Sequence, residues 1–314
     1  MDNLIQIKNL SKIFSSQKNW LNTEKIETKA VNNVSFDIKK GEILALVGES
    51  GSGKSTTARC LLMIEKPTSG QIIFDGMDIT SQKCNIQQLR KKMQMVFQNP
   101  YSSLNPKMKV KDILKESLQI NTKMNAQEIN STIIETCAMT GIDADYLERY
   151  PHEFSGGQRQ RIGIARAIIL RPDFIIADEP VSALDVSIQA QILNLLKDLK
   201  EQLNLTYLFI SHNLSVVHHI ADRVAVMYKG EIVEIATKEE LFENPIHPYT
   251  KLLINSTPQI GCSFNIEEKN IDNNNIQAKC NFAPRCTKCQ DVCYSKEVGY
   301  QEISQSHIVK CHFI

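Results

Sequence analysis

The chain has 314 residues, 42% apolar and 23% charged, enough for one large domain with a smaller addition. Lys and Arg total 36 and Asp and Glu total 35, giving a formal net charge of +1, which argues against a broad basic surface for nucleic acid. No apolar run reaches the roughly 18 residues that span a bilayer, and the first residues lack the apolar core of a secretory signal. We therefore expect a cytosolic protein that forms no pore itself.

The N-terminal part of the chain predicts a small antiparallel sheet and the first strand of a larger one. Apolar residues alternate over residues 5–10 and 34–38, as in half-buried strands. The polar stretch between them, residues 15–28, is interpreted as a long surface loop. The unbroken apolar run at 43–47 is typical of a strand buried on both faces. Farther on, Asp75-Gly76 predicts a tight hairpin turn.

The middle of the chain predicts a helical insert, followed by alternating strands and helices. Residues 106–170 carry apolar side chains three and four positions apart, as amphipathic helices do. The apolar runs 174–177 and 207–210 then flank a helical pattern at 188–203. This alternation predicts an α/β core with a parallel sheet.

The composition of the chain changes near residue 244. Residues 223–236 are interpreted as two strands joined at Lys229-Gly230, whereas the chain beyond residue 244 loses periodicity and gains Pro, Asn and Cys. We therefore predict a domain over residues 1–243, with a helical subdomain at about 100–170, and a C-terminal extension over residues 244–314.

A glycine-rich loop lies between the predicted strand at 43–47 and a helix, the setting that a phosphate-binding loop requires. Successive backbone N–H groups of such a loop, with the N-terminus of the helix, bind anions. Lys54 is placed to reach the β- and γ-phosphates of a nucleotide, Ser55 to bind the bridging Mg²⁺, and Thr56 to serve the start of the helix. A simple strand-to-helix turn needs one glycine and no Lys-Ser pair. The candidate loop residues are Gly48, Glu49, Ser50, Gly51, Ser52, Gly53, Lys54 and Ser55.

An acidic pair, Asp178-Glu179, closes the buried run at 174–177. Ligands of open α/β sheets bind at the carboxyl ends of strands, so Asp178 is the candidate Mg²⁺ ligand and Glu179 the candidate to polarise the attacking water. Alone, such a pair more often marks a helix N-terminus, and the phosphate loop upstream favours the functional interpretation. His212 follows another buried run at the same predicted edge, where its imidazole can bond to the γ-phosphate.

The stretch Ser155-Gly156-Gly157-Gln158, upstream of the acidic pair, resembles the signature sequence of the ABC transporter ATPases. That family has a phosphate-loop NTPase core, an antiparallel β subdomain and a helical insert. The resemblance implies that the signature caps a nucleotide held by a second ATPase subunit, so that two ATP molecules lie between two subunits. It also implies that Gln98 serves catalysis and Mg²⁺ binding, and that Phe14 stacks on adenine. Trp20 competes for the stacking role, and an aromatic in this position is more often a core residue.

Three longer strings make the chain similar to the ATPases of dipeptide and oligopeptide importers. They are NPYSSLNP at residues 99–106, YPHEF at 150–154 and NPIHPYT at 244–250. The sequence around residues 55–70 is more similar to the second of the two paired ATPases in such systems. Asn99 and Asn213 stand where many relatives have Asp, from which we expect altered local hydrogen bonding without loss of activity.

The same resemblance implies a set of partners and a place in the cell. The partners are a paired ATPase subunit, two transmembrane permease subunits and an extracytoplasmic solute-binding protein, with this chain peripheral at the cytoplasmic face of the membrane. Nickel or metallophore importers share nearly all of the strings and are the alternative. A soluble ABC ATPase is disfavoured by the single phosphate loop and the short helical insert. A regulatory module without turnover is disfavoured because Glu179 and the signature glycines are present.

Five cysteines crowd into the end of the chain with the spacing C-x5-C-x2-C-x3-C and a distant fifth thiol. Four thiolates suit an iron–sulfur cluster or a zinc ion. The tails of related peptide-importer ATPases resemble this one at Cys280, Cys286, Cys293 and Cys311, which implies a 4Fe–4S cluster with Cys289 as the extra thiol. The residues alone leave open Cys289 as the fourth ligand with Cys311 free, a zinc site, or no metal. The other cysteines are expected to be structural: Cys60, Cys84, Cys137 and Cys262.

Overall fold

The structure, a computed structural model, describes residues 2–19, 22–81, 84–256 and 278–314. Trp20 and Cys262, which carry predictions made above, lie outside the described residues.

The strands, in chain order, are β1 (Asn3–Asn19), β2 (Asn22–Lys39), β3 (Ile43–Val47), β4 (Ser69–Phe74), β5 (Met77–Asp78), β6 (Met93–Val96), β7 (Phe174–Asp178), β8 (Thr206–Ser211), β9 (Arg223–Tyr228), β10 (Glu231–Thr237), β11 (Gln301–Glu302) and β12 (Ile308–Val309). The α-helices are α1 (Lys54–Leu61), α2 (Ile86–Lys92), α3 (Pro100–Ser103), α4 (Val110–Asn121), α5 (Ala126–Thr140), α6 (Gly156–Ile168), α7 (Val186–Leu203), α8 (Leu214–Ile220), α9 (Lys238–Glu243), α10 (Pro248–Asn255) and α11 (Val292–Ser295). Short 3₁₀ turns lie at Ala144–Tyr146, Pro151–Glu153 and Ala283–Arg285.

The prediction of a long surface loop over residues 15–28 is wrong. Strand β1 continues to Asn19 and β2 begins at Asn22, and the two strands are neighbours in one sheet. Pairing of two strands satisfies their backbone N–H and C=O groups whatever their side chains are, so polar residues can extend a hairpin beyond its apolar core.

The chain divides into two compact units by its internal contacts. The first unit comprises residues 1–4, 38–42 and 81–210, and the second comprises residues 5–37, 43–80 and 211–314.

The first unit contains parallel strands and the helical insert. Strand β7 pairs in parallel with β6 and with β8, which confirms the predicted parallel sheet. Helices α4, α5 and α6 share an apolar core that includes Leu114, Ile133 and Ile162, each at most 1% exposed. The apolar spacing read from the sequence therefore marks the faces that these helices bury.

The second unit contains an antiparallel sheet and the strand that leads into the phosphate loop. The antiparallel sheet has the order β2-β1-β4-β5, with Phe74 paired to Met77 across the predicted turn at Asp75-Gly76. Both turn residues have positive φ, 46° and 78°, the conformation that tight hairpins require. Strand β3 pairs in parallel with β9, which pairs with β10 as the predicted hairpin.

The C-terminal residues pack against other strands of the second unit, to which they belong. Strand β12 pairs with β10 on one side and β11 on the other. Phe282 and Cys286 belong to the same apolar cluster as Val47, Tyr228 and Tyr249. The extension therefore pairs with β10, two strands from β3, and its side chains share an apolar cluster with Val47 at the end of β3, from which the phosphate loop begins.

Candidate functional site

The glycine-rich loop joins the buried strand β3 to helix α1, as the sequence predicts. Lys54, 6% exposed, begins the helix and turns its ammonium group back to the loop. Its Nζ donates to the carbonyl oxygens of Gly48 at 2.7 Å and Glu49 at 2.8 Å. The loop thereby holds a cation beside the positive end of a helix, an arrangement suited to a phosphate group.

Two glycines of this loop are required by close packing. Gly48 has φ 152°, and a Cβ there would lie 2.1 Å from the carbonyl oxygen of Met227. Gly53 has φ 108°, and its Cβ would lie 2.3 Å from the carbonyl oxygen of Ala30. No side chain fits at either position, because the contacting atoms belong to the backbone.

The start of helix α1 differs in one detail from the prediction. Thr57, not Thr56, bonds to the loop, through a hydroxyl that donates to the carbonyl oxygen of Gly53 at 3.0 Å. Ser55 lies on the exposed side of the helix start. The Ser55 hydroxyl is thus on the accessible side of the loop.

The structure brings two predicted residues, Gln98 and Glu179, into direct contact. The Nε2 of Gln98 donates to the Oε2 of Glu179 at 2.8 Å, across 81 residues of sequence. Glu179 has φ 47°, in the left-handed region, and its N–H donates to the carbonyl oxygen of Ile210 at 3.0 Å. A residue other than glycine in this region is uncommon and typical of functional sites.

The remaining polar residues of this region lie at or just after strand ends. Asp178, half-buried, ends β7 opposite Ile210 of β8, and His212 follows β8 directly. Asn213 and Asn99 both serve as helix N-caps: their side-chain oxygens accept from the N–H of Ser215 at 3.0 Å and of Tyr101 at 2.9 Å. Each Asn therefore has a local structural role.

The signature residues form the start of helix α6. Ser155 and Gln158 make a reciprocal capping box, in which the Ser155 hydroxyl accepts the Gln158 N–H at 3.3 Å and the Gln158 side chain accepts the Ser155 N–H at 2.9 Å. Gly157 faces helix α7, where a Cβ would lie 2.5 Å from Cγ2 of Ile188. Gly156 and Gly157 are only partly buried, so the signature lies at an accessible helix start.

Phe14, the candidate for adenine stacking, lies in β1 with 40% of its surface exposed. The Lys12 ammonium lies 4.9 Å from the centre of its ring. An exposed aromatic face on a regular strand is available for stacking.

The cysteines of the tail lie near one another, but their geometry does not support the predicted metal site. Among the described residues, which include all five of these cysteines, no group of three or more His, Cys, Asp or Glu could hold a metal ion. Burial, aided by the neighbouring thiols of Cys280, Cys289 and Cys311, raises the pKa of the Cys286 thiol to about 11. Burial likewise raises the pKa of Cys280 and of Cys311. A raised pKa favours the protonated thiol at these three positions, whereas a metal binds the thiolate.

Two contacts of the phosphate loop were missed by sequence reasoning. The hydroxyl of Tyr249 accepts the N–H of Glu49 at 2.9 Å, and the guanidinium of Arg285 binds both carboxylate oxygens of Glu49 at 3.0 Å. Tyr249 lies inside one of the three strings quoted above, which was a partial signal. Arg285 lies among the tail cysteines, where no local pattern predicts this contact.

The loop, the acidic strand end and the capped signature helix, on an α/β fold with a helical insert, define an ATPase of the ABC type. Residues 31–182 match the family model described as "ABC transporter". Residues 233–293 match the model described as "Oligopeptide/dipeptide transporter, C-terminal region".

Curated relatives narrow this assignment. The oligopeptide transport ATP-binding protein AppF of Bacillus subtilis is 45% identical, over 99% of this chain and 97% of that protein. The dipeptide transport ATP-binding protein DppF of Escherichia coli is 51% identical, over 82% of this chain and 77% of that protein. The chain belongs to the ABC transporter family, among the ATP-binding proteins of dipeptide and oligopeptide transport.

Solved structures support the same fold. The chain matches cbiO1 of Clostridium perfringens, part of an ABC transporter complex, with TM-score 0.68, 29% identity and coverage of 78% of this chain and 92% of that one. It also matches a dimeric ATP-binding cassette in a post-hydrolysis state with ADP and phosphate, with TM-score 0.65 and 28% identity, covering 74% of this chain and 98% of that one. Like the family, the chain is an ATPase coupled to transport. Within the described residues, no helix is both long and apolar enough to cross a bilayer.

Proposed function

We propose that this chain binds and hydrolyses ATP to power an importer of dipeptides or oligopeptides. The contact between Gln98 and the strained Glu179 carries the hydrolytic part of the proposal, because it orients a carboxylate at the end of a buried strand. The importer part is supported by relatives named for dipeptide and oligopeptide transport over nearly the whole chain.

The phosphate loop has the role of holding the β- and γ-phosphates. Lys54 supplies the positive charge, and the loop carbonyls of Gly48 and Glu49 direct its ammonium group. The backbone of the loop and the start of α1 supply N–H donors. The proposed nucleotide contacts also include Thr56 at the start of α1 and Phe14 at the adenine. The loop residues are Gly48, Glu49, Ser50, Gly51, Ser52, Gly53, Lys54 and Ser55.

The residues proposed to hold a magnesium ion are chosen by the chemistry of their donor atoms. The Ser55 hydroxyl, the Asp178 carboxylate and the Gln98 amide oxygen are hard oxygen ligands of the kind that Mg²⁺ prefers. The amide nitrogen of Gln98 donates to Glu179, and the amide oxygen of Gln98 is the atom proposed to bind a cation. Bound Mg²⁺ neutralises charge on the β- and γ-phosphates.

In the proposed hydrolysis, the Glu179 carboxylate accepts a hydrogen bond from the attacking water. The water oxygen bonds to the γ-phosphorus, and the bond between that phosphorus and the bridging oxygen of ADP breaks with its electron pair left on ADP. The proton of the water passes to the Glu179 carboxylate and from there to an oxygen of the released phosphate. His212 donates to a γ-phosphate oxygen and stabilises the developing charge. The signature residues Ser155–Gln158 bind the nucleotide of a second ATPase subunit, as the family resemblance implies.

The proposed assembly has a paired ATPase subunit, two permease subunits and an extracytoplasmic solute-binding protein, with this chain at the cytoplasmic face of the membrane. A surface for the permease is offered by helix α3, where Tyr101 is 64% exposed. Arg159 stacks on Tyr101, with 3.8 Å from its guanidinium carbon to the ring centre, and donates to the carbonyl oxygen of Pro151 at 2.6 Å. Arg166 donates to the carbonyl oxygen of Ser103. Helix α3 is thereby tied to α6, the helix that starts with the signature.

The C-terminal extension over residues 244–314 is proposed as a separate part of the chain. For its metal, the donor set gives the support: Cys280, Cys286, Cys293 and Cys311 are four free thiols in one part of the chain, and the N–H of Cys280 donates to the carbonyl oxygen of Cys293 at 2.9 Å. Four thiolates of this kind suit a 4Fe–4S cluster, or a zinc ion. Iron, sulfide and zinc analysis of anaerobically purified protein tests this. Iron with sulfide supports the cluster, zinc alone supports the zinc site, and a metal-free chain refutes both.

Uptake by the assembled transporter tests the proposed function. Cells that carry Glu179→Gln are compared with wild type for uptake of labelled dipeptides, labelled oligopeptides and nickel. Loss of peptide uptake with normal nickel uptake supports the proposal. The reverse result assigns the chain to metal acquisition, and unchanged uptake of all three solutes contradicts an importer role.

A further inference from the structure

One ion pair joins the C-terminal extension to the phosphate loop. The two terminal nitrogens of Arg285 each lie 3.0 Å from a carboxylate oxygen of Glu49, although 236 residues separate the two in sequence. This two-pronged geometry is the most directional that an ion pair offers, because the planar guanidinium matches both carboxylate oxygens. The Arg285 side chain is 21% exposed and that of Glu49 is 42% exposed. The pair therefore orients Glu49 more than it stabilises the fold.

A second contact acts on the backbone of the same residue. The Tyr249 hydroxyl accepts the Glu49 N–H at 2.9 Å. Tyr249 is fully buried, and its ring lies 4.5 Å from that of Tyr228 and 5.5 Å from that of Phe282, measured between centres. A packed ring has one rotamer, so its hydroxyl is a fixed acceptor.

Arg285 is itself held in place by aromatic rings. Its guanidinium carbon lies 5.9 Å from the ring centres of both Tyr228 and Phe282. The residue ends the 3₁₀ turn Ala283–Arg285 and is followed by the buried Cys286. A cation against two rings, on a short anchored turn, has little freedom to leave Glu49.

These contacts reach the phosphate site through the carbonyl of Glu49. The Glu49 N–H is held by Tyr249 and its side chain by Arg285, while its carbonyl oxygen accepts the Lys54 ammonium at 2.8 Å. A shift of the peptide groups at Glu49 would move the acceptor that directs Lys54. Small displacements of a group that binds a reacting phosphate have large effects on affinity and rate.

We propose that Arg285 and Tyr249, both from the C-terminal extension, are positioning residues of the phosphate site. They fix Glu49, and through its carbonyl they fix the Lys54 ammonium in the geometry that binds ATP. The inference rests on the proposed phosphate role of the loop. It makes the extension a working part of the ATPase, beyond any role in assembly.

The test measures ATP affinity of the purified full-length chain and the KM and kcat for ATP of the assembled transporter. Arg285→Gln and Glu49→Gln should each weaken ATP binding and raise KM by about tenfold. The double variant should lose no more ATP affinity than the more severely affected single variant, because both changes remove the same ion pair. Arg285→Lys should recover part of the loss, because an ammonium group keeps the charge without the fork. Tyr249→Phe should raise KM in the same direction.

A matched control and two contrary outcomes separate this role from stability. Lys279→Ala removes another ion pair of the extension, that with Glu297, and should leave KM unchanged. Unchanged KM in Arg285→Gln, or additive losses in the double variant, would overturn the proposal. So would a KM change that disappears when the variants are compared at equal distance below their melting temperatures. Lys54→Ala separates the proposed phosphate site from the proposed role of the extension. If Lys54→Ala keeps normal ATP affinity, the phosphate site is wrong. If Lys54→Ala loses ATP affinity but the Arg285 and Tyr249 variants keep it, only the role of the extension is refuted.

Discussion

At the scale of single residues, Glu179 combines a strained backbone with the proposed role of polarising the attacking water. Its φ of 47° costs of order 1–3 kcal/mol for a residue that has a Cβ. The backbone bond to Ile210 and the side-chain bond from Gln98 hold it there. The acidic pair was visible in the sequence, but the conformation that directs the carboxylate depends on a strand and a loop from elsewhere in the chain.

Replacement of Glu179 by Gln tests its role. The amide keeps the size of the side chain and an oxygen for the Gln98 bond, but it cannot accept a proton from the attacking water. We expect ATP hydrolysis to fall by about 100-fold or more with ATP affinity nearly unchanged. The rate is measured in the reconstituted transporter.

The control for this variant is Glu135→Gln, at an exposed carboxylate that pairs with Arg171. Its hydrolysis rate should equal that of the wild type. If Glu179→Gln turned over ATP at near the normal rate, Glu179 would not be the residue that polarises the water.

At the scale of elements, helix α6 carries the signature residues in its first turn and contacts neighbouring segments along its length. Its first turn carries the signature, and Arg159 and Arg166 tie it to the segment after Gln98. Gly157 brings this helix against α7, where Ile188 leaves no room for a Cβ. The sequence marked these glycines as nucleotide contacts, and the structure adds that Gly157 also sets the distance between two helices.

Two glycines of α6 give a matched pair of variants. Gly157→Ala places a Cβ 2.5 Å from Ile188 and should cost about 1–3 kcal/mol and lower ATPase activity, because the signature must shift. Gly163→Ala, on the same helix, has no atom within 4 Å of the new Cβ. It should stabilise the protein by about 0.5–1 kcal/mol, because alanine favours the helix.

Urea unfolding and ATPase assays of both variants measure these effects. The double variant Gly157→Ala with Ile188→Ala should regain activity, since it removes the clash. If Gly157→Ala were as active as Gly163→Ala, the close approach of α6 and α7 would have no role in the activity.

At the scale of the whole molecule, a buried carboxylate joins the start of the C-terminal extension to its end. Glu234 of β10 is fully buried and accepts the N–H groups of Ile246 at 2.9 Å and His247 at 3.0 Å. Its Oε1 also lies 2.7 Å from the Nε2 of His307. A buried carboxylate with three partners ties distant segments together, and loss of one partner leaves costly unsatisfied groups.

His247 makes the second unit sensitive to acid. Burial, aided by the charge of Lys310, lowers its pKa from 6.5 to about 4. The unfolded chain therefore binds a proton that the folded chain excludes, so this contribution is complete above pH 6.5 and is lost as the pH falls to 4. The loss amounts to about 3 kcal/mol, from about 1.4 kcal/mol per pKa unit.

His247→Asn removes the titrating group and keeps a cap for helix α10, since the His247 Nδ1 accepts the Tyr249 N–H at 3.0 Å and an Asn oxygen can replace it. Urea unfolding between pH 7.5 and 4 should show a smaller loss of stability in this variant. Glu234 and His307 are present in both proteins and cancel in the comparison. Parallel stability curves for the two proteins would contradict the role of His247.

Much of the fold could be read from local sequence. The apolar run of β3, the turn residues Asp75-Gly76 and the helical spacing of the insert each act within a few residues, so they are visible in the sequence. The polar residues of 15–28 led to a wrong prediction of a loop, because strand pairing satisfies the backbone hydrogen bonds whatever the side chains are. The sequence of that segment does not identify the strand with which it pairs. The metal predicted for the tail depends on the distances between thiols, which spacing along the chain does not determine.

The sequence by itself determined the chemistry of the phosphate loop, the acidic strand end and the signature, because their residue types and spacing are local requirements of nucleotide binding. Only the tertiary structure decided which groups orient them. The Gln98–Glu179 bond spans 81 residues and the Arg285–Glu49 pair spans 236. Contacts at such separations form because packing of the core brings distant segments together. The sequence around each polar partner contains no pattern that identifies the other partner.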